Sequence, residues 1–188
     1  MLPGGFHRDI GCGGCGCGTG TAGRVDRRFL LRATGAGMLL AAAPSLVRAQ
    51  GGKYEAMILA CIDPRTQEPV HVYAAERGLT GKYSQFVVAG AAVGVVAPKF
   101  ADWHKTFWDN LAASIQLHQI GKVIAIDHRD CGAARIAYGE AALADPARET
   151  ETHRKALAQF RREVGQRHPK LGVETGLMAL DGSIEMFG

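Results

Sequence analysis

The chain has 188 residues, 47% of them hydrophobic, and a formal net charge of +4. This length and composition predict one globular domain. The positive excess lies entirely in residues 1–49, which carry six arginines and two acidic residues, whereas residues 50–188 hold 16 basic and 16 acidic side chains. A nucleic-acid-binding protein usually carries its basic patch on the folded domain, so this balance argues against a nucleic-acid partner.

Residues 1–49 have the order of features that is typical of an export signal. Arg27 and Arg28 are followed by the letters FLL, by a Gly- and Ala-rich apolar stretch, and by the small-residue end VRAQ. This order predicts a signal peptide of the twin-arginine type that is cleaved after Ala49 and leaves residues 50–188 as a single domain. An amphipathic helix with an ordinary arginine pair is the alternative. The apolar stretch is too short to span a bilayer, so no stable membrane anchor is expected after cleavage.

Export by this route predicts a periplasmic or secreted protein, and this location affects how the cysteines are interpreted. Cys12, Cys15 and Cys17 lie in the leader, and their spacing matches no common zinc pattern. The mature chain would keep only Cys61 and Cys131. In an oxidising compartment these two thiols can pair as a disulfide, which is one hypothesis for them.

Strand and helix patterns alternate along the mature domain. YEAMILA is an apolar run that predicts a buried strand ending at Cys61, and PVHVYAAERG predicts a short helix. YSQFVV predicts a strand near 84–89, followed by a glycine-rich loop. The next segment, ADWHKTFWDNLAASIQLHQ, predicts a helix that stops at Gly121, and KVIAID predicts a buried strand over 122–127.

The last third of the chain predicts a helix and a hairpin. A polar stretch, ADPARETE, precedes a charged helix, THRKALAQFRREVGQR, which ends at His168-Pro169. Asp181-Gly182 between two apolar runs indicates a tight turn between antiparallel strands. The order of elements therefore predicts an α/β domain with a mostly parallel sheet, flanked by helices and closed by an antiparallel C-terminal hairpin.

Two clusters of Cys, His, Asp and Arg follow predicted strands, in the segments CIDPR and HRDCG. Open α/β sheets place ligand sites at the carboxyl ends of their strands. If the two strands are neighbours, Cys61 converges with His128 and Cys131. Two thiolates and one imidazole with an open fourth position are a catalytic zinc set. Two buried thiols beside an unrelated histidine are the alternative.

The paired motifs C-x-D-x-R and H-x-x-C resemble those of the β-class carbonic anhydrases, over a stretch that runs from the first strand to the C-terminus. The resemblance implies that Cys61, His128 and Cys131 bind one zinc ion per chain. It implies that Asp63 and Arg65 form the catalytic pair. The implied reaction is reversible hydration of CO₂ to bicarbonate by a zinc-bound hydroxide, in a homodimer or larger assembly.

The second strand departs from that family, which commonly has a stretch like R-N-A-G-N where this chain has VVAGAAV, and Asp127 stands where Gly usually precedes the zinc histidine. Two other functions are therefore kept as hypotheses. One is a hydrolase that acts on a CO₂-like molecule such as carbonyl sulfide or carbon disulfide. The other is a zinc-binding scaffold without activity. The presence of Asp63 and Arg65 argues against the scaffold, because a structural zinc needs neither residue.

Overall fold

The computed structural model describes residues 53–188. The predicted leader, its arginine pair and the three upstream cysteines lie outside the described residues. Among the helices described, none is both long enough and apolar enough to span a bilayer. The strands are β1 (Ala56–Ala60), β2 (Tyr83–Val87), β3 (Lys122–His128), β4 (Gly172–Met178) and β5 (Ile184–Phe187). The α-helices are α1 (Gln67–Glu76), α2 (Ala92–Val96), α3 (Ala101–His118), α4 (Gly132–Tyr138) and α5 (Pro146–Arg167).

The strands form one sheet in the order β2-β1-β3-β4-β5. All neighbouring strands are parallel except β4 and β5, which form the antiparallel hairpin predicted at Asp181-Gly182. In this sheet β1 lies between β2 and β3, with Ala60 paired to Val87 on one side and to Ile126 on the other. The predicted α/β fold with a mostly parallel sheet is confirmed, and β1 and β3 are neighbours.

Helices cover both faces of the sheet and hold the strand ends in place. All five residues of β1 are buried, as expected for a central parallel strand. On one face, Phe107 of α3 and Phe160 of α5 pack with ring centroids 5.6 Å apart, within the larger of two apolar cores. On the other face, Val70 and Ala74 of α1 join a smaller core that includes Ile124. Burial of each large apolar side chain contributes roughly 1.5–3 kcal/mol.

The segment predicted as a glycine-rich loop after β2 contains α2, so that part of the prediction was wrong. All five residues of α2 are buried. Gly94 allows this packing, because a side chain there would collide with the carbonyl oxygen of Ala89. The glycines in this segment therefore permit close packing of a short buried helix rather than an open loop.

Two helix boundaries also differ from the prediction. α3 ends at His118 rather than at Gly121, because Gln119 adopts a left-handed conformation with φ 53° and its N–H bonds to the carbonyl of Ile115. α5 begins at Pro146, inside the polar stretch that was expected to precede it. Asp145 caps this helix by accepting bonds from two backbone N–H groups of the first turn.

Candidate metal centre

Three predicted ligands meet at the carboxyl ends of two neighbouring strands. Cys61 is the first residue after β1, His128 is the last residue of β3, and Cys131 directly precedes α4. One ligand atom from each of the three residues lies within 4.8 Å of the others. Their exposed fractions are 6%, 2% and 1%, so the group is shielded from solvent. The convergence that the parallel topology predicts is therefore present.

The orientation of His128 leaves one ring nitrogen available. Its Nδ1 lies 2.8 Å from the carbonyl oxygen of Arg129. A carbonyl can only accept a hydrogen bond, so Nδ1 carries a proton and Nε2 is the ring nitrogen left to bind a metal. This Nε2 is buried and has no hydrogen-bond partner among the described residues. A buried imidazole nitrogen without a partner, held by a backbone contact on the other side of the ring, has the arrangement of a metal ligand.

Cys61 and Cys131 are free thiols in this structure. The Gly90 N–H donates to Cys61 Sγ over 3.2 Å. The neighbouring Cys131 thiol, together with the nearby His128 ring and backbone groups, lowers the pKa of Cys61 to about 4. The same contact and burial raise the pKa of Cys131. A metal would bind both cysteines as thiolates, so its binding would displace a thiol proton.

Arg65 holds the carboxylate of Asp63 beside this group. The Arg65 Nη2 lies 2.7 Å and its Nε 3.0 Å from the two carboxylate oxygens, and the Arg65 backbone N–H donates to Oδ1 over 2.9 Å. These hydrogen bonds lower the pKa of Asp63 to about 2, so the side chain is ionised at neutral pH. Its position two residues after Cys61 places this charge at the edge of the cluster. The sequence predicted both residues as functional, and the structure brings them together.

Asp130 is a second carboxylate on the same guanidinium, and it was not among the predicted site residues. Arg65 Nη1 donates to Asp130 Oδ2 over 2.8 Å, and Arg135 donates to the other oxygen over 3.0 Å. Asp130 has a left-handed backbone with φ 55°, which turns the chain between His128 and Cys131. An Asp between two ligand positions is a usable sequence signal, since Asp tolerates this conformation better than most residues.

Asp127 and His153 form a buried pair behind the cluster. Both side chains have no exposed surface, and His153 Nδ1 lies 2.8 Å from Asp127 Oδ2. The other carboxylate oxygen accepts the Ala92 N–H over 2.9 Å. His153 belongs to no sequence motif, and it lies in the core. The sequence feature that could have indicated this pair is Asp127, a charged residue inside the apolar strand KVIAID.

A cavity of about 380 Å³ opens onto the cluster. Cys61 and Asp63 form its polar end, and apolar side chains form most of the rest: Ile62, Pro64, Ala89, Phe100, Trp103, Ala133 and Ile136. Ile62, Trp103 and Ile136 are exposed at its mouth. A larger cavity of about 510 Å³ lies between α1 and the hairpin, but none of the predicted site residues line it. The smaller cavity is therefore the one that can bring a substrate to the cluster.

Comparison with known proteins identifies a family for more than half of the chain. Residues 52–173 match the family described as "Putative carbonic anhydrase". An uncharacterised protein of Rickettsia bellii (strain RML369-C) is 33% identical over 129 residues, which cover 69% of this chain and 79% of that protein. An uncharacterised protein of Rickettsia conorii (strain ATCC VR-613 / Malish 7) is 30% identical over 129 residues and is covered over 69% of its length.

Solved structures share the fold at low sequence identity. A tetrameric β-carbonic anhydrase of Sordaria macrospora has a TM-score of 0.50 at 14% identity, over 74% of this chain and 83% of that one. A β-carbonic anhydrase of Aspergillus fumigatus has a TM-score of 0.51 at 14% identity, over 74% of this chain and 78% of that one. These likenesses support the fold, and the family match covers both cysteine motifs. The chain therefore belongs to the family described as "Putative carbonic anhydrase", and its fold is that of the β-carbonic anhydrases.

Proposed function

We propose that this protein catalyses the zinc-dependent, reversible hydration of CO₂ to bicarbonate. The observation that carries the proposal is the cluster of Cys61, His128 and Cys131, which reaches one end of an apolar cavity through Cys61, beside the ion pair of Asp63 and Arg65. The family match adds independent support. A purely structural metal site needs neither an open cavity nor a charged pair at its edge.

The donor set fits zinc. Two thiolates and one imidazole are ligands that zinc binds in tetrahedral sites, and three protein ligands leave a fourth position open. Cys61 Sγ, Cys131 Sγ and His128 Nε2 would hold the ion, since Nδ1 of His128 is already bonded to the Arg129 carbonyl. When bound in such a site, zinc supplies a hydroxide nucleophile at neutral pH by lowering the pKa of a coordinated water.

The residues around the cluster would prepare the reaction. The ionised carboxylate of Asp63 accepts a hydrogen bond from the attacking water and orients it, while Arg65 fixes the carboxylate. CO₂ is small and apolar, so the cavity walls formed by Phe100, Trp103 and Ile136 suit its entry. Bicarbonate is an anion, and it would leave past the exposed guanidinium of Arg65.

Stopped-flow kinetics on the zinc-loaded protein would test the proposed substrate. CO₂ hydration, carbonyl sulfide hydrolysis and carbon disulfide hydrolysis are measured on the same preparation. The proposal expects CO₂ hydration to be the fastest of the three reactions. A higher rate with either sulfur compound would indicate instead that the protein is a hydrolase of CO₂-like molecules. Zinc binding without any of the three activities would identify a scaffold instead.

We also propose that the protein is a homodimer or a larger assembly. β2 is an edge strand of the sheet, and Val87 at its end is 45% exposed. Next to it, Ile62 and Trp103 add exposed apolar surface at the cavity mouth. An exposed edge beside an apolar patch is commonly covered by another chain. The β-carbonic anhydrases of Sordaria macrospora that share this fold are tetrameric.

Val87→Lys is expected to shift the assembly toward a monomer, because a charged side chain on the edge strand opposes pairing with another chain. The measurement is light scattering over a wide range of protein concentrations. Leu117→Lys is the matched control, since Leu117 is also exposed but lies near the end of α3. A monomeric wild-type protein at every concentration would contradict the proposed assembly.

Export by the twin-arginine route remains a proposal, based on the leader sequence. Replacing Arg27 and Arg28 by Lys keeps the charge but removes the arginine pair, so the variant is expected to stay in the cytoplasm. Cell fractionation followed by N-terminal sequencing would locate the protein and its cleavage site, which is predicted after Ala49. If the Lys variant is exported as efficiently as the wild type, the twin-arginine interpretation is wrong.

A further inference from the structure

The segment between β2 and α2 contains a strained residue close to the metal centre. Ala91 is fully buried and has φ 48° and ψ −114°, a combination that side-chain sterics disfavour. Gly90 before it also has a positive φ, of 82°. Strained backbone of this kind persists only where the surrounding contacts hold it, and it occurs most often at functional sites.

Two backbone N–H groups flank Ala91, and each donates to a group at or beside the cluster. The Gly90 N–H donates to Cys61 Sγ over 3.2 Å. The Ala92 N–H donates to Asp127 Oδ1 over 2.9 Å. The strained residue therefore lies between one contact to a predicted metal ligand and one contact to the buried carboxylate. If the second contact is lost, the segment can relax and move the first donor away from the sulfur.

His153 holds the buried carboxylate from the opposite side. Its Nδ1 bonds to Asp127 Oδ2, whereas its Nε2 has no partner among residues 53–188. Both side chains are fully buried, so water does not replace either contact. A buried carboxylate is tolerated where it is hydrogen-bonded on its available oxygens. These hydrogen bonds link His153 of α5 to Asp127 of β3, and Asp127 in turn to the segment that carries the Gly90 N–H.

We propose that Asp127 and His153 are positioning residues of the metal centre, which hold the Gly90 N–H on Cys61 Sγ and thereby increase metal affinity. The inference rests on the metal site of the proposed function but not on its reaction. A hydrogen bond from an N–H group to a thiolate ligand orients the lone pairs of the sulfur and reduces the negative charge on it. Loss of such an outer contact typically lowers metal affinity by about 10–100-fold.

Cobalt(II) is the probe, because thiolate-to-cobalt absorption reports coordination by cysteine directly. The dissociation constant is measured by competition with a chelator on the purified protein. Asp127→Asn and His153→Leu are expected to weaken cobalt binding by about 10–100-fold. His153→Asn keeps a donor toward the carboxylate and is expected to stay closer to the wild type.

Ser114→Ala is the matched control. Ser114 is a buried polar residue that donates to Ser84 near the amino end of β2, far from the strand ends that carry the ligands. Its loss is expected to lower the free energy of unfolding without changing cobalt affinity. If His153→Leu and Asp127→Asn behave like this control, the buried pair is only structural and the inference is overturned.

A measurement on the wild type keeps the test decisive if a variant does not fold. In the cadmium-loaded protein, NMR should detect scalar coupling between the metal and the Gly90 amide proton through the hydrogen bond to Cys61. Absence of that coupling would overturn the inference. Cobalt bound through thiolates, together with a zinc-loaded protein that does not hydrate CO₂, would contradict the proposed function alone, whereas a wild type that binds no metal would contradict both.

Discussion

Cys131→Ser is expected to remove both zinc and CO₂ hydration. A serine hydroxyl is a poor zinc ligand at neutral pH, because it stays protonated where a thiol beside a cation ionises. The remaining pair, Cys61 and His128, supplies only two of the three protein ligands of a catalytic zinc site. Zinc content by elemental analysis should fall from one ion per chain toward none, and the hydration rate should fall with it.

The control for this variant is Ala134→Ser, which adds a buried hydroxyl to the same helix but removes no ligand. It is expected to keep its zinc. If Cys131→Ser also keeps one zinc per chain and the full hydration rate, the ligand set is wrong. A Cys61–Cys131 disulfide found in the native protein by mass spectrometry would contradict the site as well.

Asp63→Asn is expected to keep zinc but lower the hydration rate by about 10²–10⁴-fold. Asn has nearly the size of Asp, so the fold should be retained. It lacks the charge that Arg65 binds and is a weaker acceptor for the attacking water. The pKa of Asp63 is held at about 2 by Arg65, so the wild-type carboxylate is already ionised well below neutral pH. The loss should therefore persist throughout the neutral range.

Comparison with Asp130→Asn distinguishes the role of the Asp63 carboxylate from that of Arg65. It removes one carboxylate contact of Arg65 but leaves the contact of Arg65 Nη2 with the Asp130 carbonyl, at 3.1 Å. The rate of this variant should remain close to that of the wild type. Equal losses in the two variants would show that Arg65 placement matters rather than the Asp63 carboxylate. Full activity of Asp63→Asn would exclude the proposed role of Asp63.

The convergence of the three predicted metal ligands was predictable because it follows from topology. Cys61 ends one apolar run and His128 ends another, and the carboxyl ends of neighbouring parallel strands meet at one edge of a sheet. The hairpin was equally predictable, since Asp181-Gly182 determines a turn locally. These features depend on patterns within short segments and on one general rule of sheet architecture.

The contacts behind the ligands could not be predicted in the same way. The Gly90 N–H reaches Cys61 because of the backbone conformation at Ala91. The residue type at this position does not predict that conformation. The pairing of Asp127 with His153 joins residues 26 positions apart, across a strand and a helix. Backbone donors have the same chemistry at every residue, so their direction becomes known only with the tertiary structure.

The hydration rate as a function of bound zinc tests the central claim most directly. The metal is removed from the purified protein, zinc is returned in steps, and both zinc content and CO₂ hydration are measured at each step. The rate is expected to rise in proportion to bound zinc and to reach its maximum at one ion per chain. A protein that holds one zinc through its cysteines but remains at the uncatalysed rate between about pH 7 and 9, where the coordinated water should ionise, would contradict the account.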